Sequence, residues 1–289
     1  MSIRTLLIIL FAVPAILLGT AFALGLKIPV PALGREYVLS FLIDESTPEF
    51  QLPGVEGPTD RSRPLVVIDA GHGGRDYGAV GGEVLEKDVV LAIAQGVRDA
   101  LIDAGGIRVA MTRDGDELVP LDYRPEMARQ LEADLFLSIH ADSAGEFGNV
   151  SGASIYTLST EASSEAAARF AARENQADRV NGLQIEDQSE EVSAILVELS
   201  QARTQDDAAE FASLITREGE NQIVFHPTAR RSANLAVLVA PDVPSVLFES
   251  GFITNEEDRA RLTTEEGQAN FANVLAQAIR VYFARRADP

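Results

Sequence analysis

Residues 65–74 read LVVIDAGHGG, a short unbroken apolar run that passes straight into glycines around a histidine. A run of this length without polar alternation fits a strand buried on both faces, as in a parallel sheet. The glycines after it fit a loop beyond the carboxyl end of such a strand, where open α/β sheets carry their working residues. On its C-terminal side Val90, Ile93, Ala94, Val97 and Leu101 recur at helical spacing, and the pattern stops near Gly105-Gly106. Strands are expected at 108–112, 135–141, 153–157, 234–240 and 245–250, and a helix around 121–132. A last helix carries Phe271, Val274, Leu275, Ala278, Ile279 and Tyr282 on one face. Alternating strands and helices give the expected class: α/β, one catalytic domain with a central, mostly parallel sheet flanked by helices.

Residues 159–224 break the alternation, since they carry helical patterns and almost no strand signal, and are expected to form a helical insertion. Val192, Ile195, Leu196 and Leu199 form one stripe there, and Phe211, Leu214 and Ile215 continue it. Thr204, with Asp207 three residues on, is placed to N-cap the second of these helices.

Before residue 64 the texture differs. Residues 5–26 contain no charge and lie between Arg4 and Lys27, which fits a signal peptide, with cleavage after Ala23, or a membrane anchor at 1–26. Residues 27–63, with Pro29, Pro31, Pro48, Pro53 and Pro58, fit a linker, leaving 64–289 as the catalytic domain. Export places the protein in the periplasm, touching membrane only through its N-terminal segment. The 289 residues hold 24 Lys plus Arg against 44 Asp plus Glu, a net charge of −20 that excludes nucleic acid as a partner. There is no Cys, which excludes disulfides, thiolate metal sites and cysteine nucleophiles. Strong metal ligands must then come from carboxylates and the three histidines His72, His140 and His226.

His72 follows LVVIDA and His140 ends LFLSIH, so both face one rim of the sheet. Glu86 opens the first helix, where the helix dipole favours a carboxylate that can turn back to that rim. Two imidazoles and a carboxylate make a three-ligand set that leaves one open position on a zinc ion. Glu249, ending SVLFE, reaches the same rim as a carboxylate free to move a proton between water and a leaving amine. His226, beside Pro227 and away from the expected strand ends, is assigned a peripheral role. Asp69, Asp76, Asp88, Asp114 and Asp142 fit turns, caps and support for the ligands, with the metal itself as the alternative role, Asp142 included; Arg75, Arg113 and Arg124 fit pairing with these acids, with an anionic substrate as the alternative.

VVIDAGHGGRDYGAVG (66–81), EKD (86–88), SIHAD (138–142) and PSVLFESGFITNEED (244–258) together resemble the motif set of the zinc-dependent N-acetylmuramoyl-L-alanine amidases of bacterial cell walls. The resemblance covers about 64–286; it departs from the family at Tyr77, where Pro is frequent, and in having no second wall-binding domain. It implies one Zn²⁺ held by His72, Glu86 and His140, with Glu249 as the catalytic carboxylate. It also implies peptidoglycan as substrate, cut between the lactyl group of N-acetylmuramic acid and L-alanine. SSEAAARFAARENQAD (163–178) and the acidic stretch after it resemble periplasmic cell-division amidases, whose extra helix covers the active site until an activator protein displaces it. Glu190 or Glu191, with Glu186 behind them, are the expected carboxylates of such a plug. A zinc peptidase on a similar sheet and a non-catalytic wall-binding scaffold are the competing readings; the intact His72, Glu86, His140 and Glu249 argue against the scaffold.

Overall fold

The computed structural model describes residues 52–143, 150–176, 190–240 and 242–287, with backbone alone over 190–203. The expected N-terminal segment 1–26 and Glu186 lie outside the described residues. Among the described residues no helix is long and apolar enough to cross a membrane.

The chain runs β1 (Leu65–Ala70), β2 (Val80–Gly81), β3 (Val84–Leu85), α1 (Glu86–Ala104), β4 (Arg108–Met111), α2 (Tyr123–Gln130), β5 (Leu135–Asp142) and β6 (Ala153–Leu158). It continues with α3 (Glu165–Glu174), α4 (Glu190–Glu218), β7 (Phe225–Ala233), β8 (Ser245–Phe252), α5 (Glu256–Thr263) and α6 (Glu265–Ala287). The six-stranded sheet has the order β4-β1-β5-β8-β6-β7. β4, β1, β5 and β8 are parallel; β6 is antiparallel to β8, and β7 is parallel to β6.

Period-two alternation explains why the sheet needs cover on both sides. Val66 and Ile68 of β1 enter a core with Val90, Ile93, Phe248 and Phe271, while Leu65 and Val67 enter a second core with Phe136, Tyr156, Phe170 and Leu247. Helices α1, α4 and α6 supply the first layer and α2 and α3 the second.

Four expectations change. Residues 234–240 are not a strand: they form a turn of 3₁₀ helix at Ala236–Leu238, and the strand lies earlier, at Phe225–Ala233. FHPTARRSA escapes a pattern search because it is polar and carries Pro227, which a ladder tolerates at a sheet edge. Thr204 caps nothing, because α4 runs unbroken through it. The second half of α4 is no appendage either, since Phe211, Leu214 and Ile215 are buried in the first core. Residues 52–63 of the expected linker belong to the compact unit that starts at Gln51, and Glu56 forms a bridge with Val109.

Candidate active site

The loop after β1 is built from unusual backbone. His72, Gly73 and Gly74 have φ of 59°, 129° and 58°, a left-handed run that is strained for the histidine and free for the glycines. Two buried guanidiniums hold it. Arg113 donates to the Ala70 and Gly71 carbonyls at 2.9 and 2.8 Å, and Arg124 to those of Ala70 and His72 at 2.9 and 2.8 Å. Arg124 also pairs with Asp69 at 2.7 Å, and Asp69 accepts from the Thr112 and Ser138 hydroxyls. Lys87 donates to the Gly74 carbonyl and Asp116 and lies over the Tyr77 ring, so Tyr77 is part of the loop's outer wall.

The result brings the expected ligands together. His72 Nε2 and His140 Nδ1 each lie 3.1 Å from Glu86 Oε1. Glu86 is the first residue of α1, and its carboxylate also accepts the backbone N–H groups of Ala79 and Ala141 at 2.6 and 2.9 Å. Asp76 accepts from His72 Nδ1 at 2.9 Å, which fixes the ring and turns Nε2 inward. Burial disfavours the charged form of His72, but Glu86 and Asp76 outweigh it and hold its pKa well above the ordinary value. Glu86 is buried too, and the two imidazoles hold its pKa well below the carboxylate norm.

Glu249 sits on β8 in register with His140 of β5 and Ser154 of β6. It is 2% exposed, and neither carboxylate oxygen has a hydrogen-bond partner. Burial, with Asp142, Glu86 and Glu174 nearby, pushes its pKa well above the carboxylate norm. Burial likewise raises Asp142 to about 7, although Arg173 pairs with it.

Gly71 is required by contact rather than by φ, because a Cβ there would stand 2.5 Å from the His140 ring. Gly71→Ala is therefore expected to push His140 out of place, costing about 1–3 kcal/mol of stability and most metal affinity. Thermal melting and metal titration measure both.

One residue at the centre was not anticipated. Glu174, at the end of α3, brings Oε2 to 3.7 Å from His72 Nε2 and 3.5 Å from His140 Nδ1. His72, His140 and Glu174 form a group able to hold a metal ion, with donor atoms within 4.8 Å of one another. α3 is docked by its neighbours: Arg173 pairs with Asp142, and Asn175 bonds to the Asn234 carbonyl and the Ala236 N–H. Glu190 and Glu191 open α4, where only the backbone is described. His226 lies on edge strand β7, away from the imidazole pair.

A model of the N-acetylmuramoyl-L-alanine amidase family matches residues 66–281. The chain belongs to the N-acetylmuramoyl-L-alanine amidase family. Its enzyme class is that of the family, a hydrolase of the muramoyl–L-alanine amide in peptidoglycan. It is 40% identical over 223 residues to amidase AmiA of Escherichia coli, which is 76% of either chain. It is 37% identical to AmiA of Salmonella typhimurium over 87% of this chain and 85% of that one. Against E. coli AmiC it is 35% identical over 91% of its own length, but spans 63% of AmiC. The amidase AmiC2 of Nostoc punctiforme superposes with a TM-score of 0.54 at 30% identity, over 77% of this chain and 98% of that one. The motif resemblance and the mostly parallel α/β fold are thus borne out for this amidase.

Proposed function

We propose that this chain is an exported, zinc-dependent amidase of daughter-cell separation, with His72, Glu86 and His140 as ligands, Glu249 as proton carrier and α3 as its brake. The observation that supports the ligand set is the convergence of His72 Nε2 and His140 Nδ1 on one oxygen of Glu86. His72 Nε2 is buried and, although 3.1 Å from Glu86 Oε1, has no hydrogen bond of good geometry, which fits a metal ligand, and two imidazoles with a carboxylate are a zinc donor set. Bound there, zinc supplies Lewis acidity and lowers the pKa of water to about 7. Glu249 accepts a proton from the attacking water at a carboxylate oxygen and returns it to the departing L-alanine nitrogen. Burial and the neighbouring acids raise its pKa, which favours its holding the proton between the two transfers.

Glu174 occupies the space beside both imidazoles that a substrate oxygen needs. Its own position supports it as the plug carboxylate, while Glu186 and the side chains of Glu190 and Glu191 lie outside the described residues. An activator protein that pulls α3 away would release the enzyme in the periplasm, where segment 1–26 delivers or tethers it. Deleting 183–216 is a poor test, because it removes Phe211, Leu214 and Ile215 from the core. Glu174→Ala is the better one, and its basal digestion of purified peptidoglycan is expected to rise about fivefold or more. Mass analysis should find stem peptides beginning with L-alanine, and a chelator should abolish them. Unchanged release from Glu174→Ala would reject the brake, and fragments cut between amino acids would favour a peptidase.

A further inference from the structure

The mechanism leaves His226 and its neighbours on β7 without a task. Arg231 donates from Nε to the Thr228 carbonyl at 3.0 Å, from Nη1 to the Tyr156 hydroxyl at 3.1 Å and from Nη2 to His226 Nδ1 at 2.8 Å. A guanidinium has five N–H groups, so one on each terminal nitrogen is left over, and a carboxylate can accept both. Among the described residues Arg231 has no carboxylate partner, in a chain where acids outnumber Lys plus Arg by 44 to 24. His226 Nδ1 also accepts the Thr228 N–H at 2.9 Å. Burial and Arg231 lower the His226 pKa, so the ring is neutral and carries its hydrogen on Nε2. The nitrogens left for a ligand, the Arg231 terminal N–H groups and His226 Nε2–H, are all donors.

Arg231 is in register with Tyr156, Tyr156 with Leu247, and Ser154 with Glu249. These side chains share one face of the sheet, and β7 lies two strands, or about 10 Å, from β8. Two residues of extended peptide span about 7 Å, and the Arg231 side chain covers the remainder. Between the two ends lies Ser154, 2% exposed, whose Oγ has no hydrogen-bond partner. The same track is covered by α3, with Phe170 stacked on the Tyr156 ring at 4.5 Å and Glu174 one turn later at the imidazoles.

We propose that Arg231 and His226 form a carboxylate-binding subsite for the stem peptide, which lies across β8, β6 and β7 along the track that α3 vacates. The proposal rests on the amidase reading. Its ligand class is a peptide beginning with L-alanine and bearing a free carboxylate on its second residue, and Ser154 is the hydroxyl available to the backbone between.

The test compares two N-acetylmuramoyl dipeptides that share L-alanine and differ only in whether the carboxyls of the second residue, glutamate, are free or amidated. In the zinc-loaded Glu174→Ala chain the free acid is expected to have a kcat/KM about tenfold higher, carried by KM. Arg231→Gln should bring the ratio near one with kcat unchanged, and Arg231→Lys, which keeps the charge without the fork, should fall between. Calorimetry with L-alanyl-glutamate and its amide reads the same preference without catalysis. A chain that cleaves neither dipeptide would count against the amidase reading, while calorimetry still decides the subsite. Equal handling of acid and amide by the parent, or an undiminished preference in Arg231→Gln or Arg231→Lys, overturns the proposal.

Discussion

Glu249→Gln is expected to slow peptidoglycan hydrolysis by about 10²–10⁴-fold while leaving metal content unchanged. The glutamine fills the same space on β8 beside His140 and Ser154, but it cannot take a proton from water or hand one to an amine. The substitution also isolates chemistry from folding. In the parent the carboxylate is buried with neither oxygen bonded, an arrangement that costs stability, and an uncharged amide relieves part of that cost. The variant should therefore melt at the parent's temperature or above it. Peptide release by chromatography, metal content by elemental analysis and a thermal melt together decide the role. Activity within tenfold of the parent would remove Glu249 from proton transfer, and loss of the metal would make it a ligand.

The parts of this centre that the sequence displays are those whose role is set by local pattern. LVVIDA and LFLSI are short unbroken runs that suit a doubly covered strand, so the positions just beyond them, His72 and His140, fall on one rim without any knowledge of contacts. Glu86 and Glu249 are legible for the same reason, one opening a helix and the other following the apolar run SVLF of a strand that continues to Phe252. Glu174 is different, because its approach to the imidazoles depends on how α3 docks through Phe170 on Tyr156, Arg173 on Asp142 and Asn175 on the 234–236 turn. None of those contacts leaves a spacing in 163–178 that separates Glu174 from Glu165, and the acidic run beyond drew attention to Glu186, Glu190 and Glu191 instead. β7 was hidden by its edge position, which relaxes the demand for apolar residues on either face. The stripe through Phe211, Leu214 and Ile215 shows the right period but fits an insertion as well as a core helix, since periodicity names a buried face and not what buries it.

Arg124→Ala is expected to cost about 3–5 kcal/mol, because removing one partner of a buried ion pair leaves the other charge uncompensated. Asp69 is 0% exposed and accepts from Arg124, Thr112 and Ser138 beneath the loop that carries His72. For a folded unit of this size that corresponds to a melting temperature lower by roughly 6–20 °C. Arg113, which also interacts with Asp69, keeps a positive charge near and holds the loss toward the lower end. The pH dependence identifies the cause. Burial works to raise the Asp69 pKa, but Arg124 and the two hydroxyls outweigh it and hold it below the ordinary value. In the parent the pair thus adds stability above the unfolded pKa of about 4, and the addition is lost as pH falls through the folded value. Without Arg124 the burial effect is no longer outweighed and the folded pKa rises, so the variant loses stability as pH climbs above about 4. The deficit should be full at pH 7, shrink as pH falls toward about 4, and close only below that, as pH passes through the parent's folded value. A paired Asp69→Asn, Arg124→Met variant should recover part of the stability but none of the grip on the His72 carbonyl, so its metal affinity should stay low. A deficit that does not change with pH would assign the loss to packing alone, and full metal affinity in the paired variant would release Arg124 from any part in holding the left-handed turn at His72.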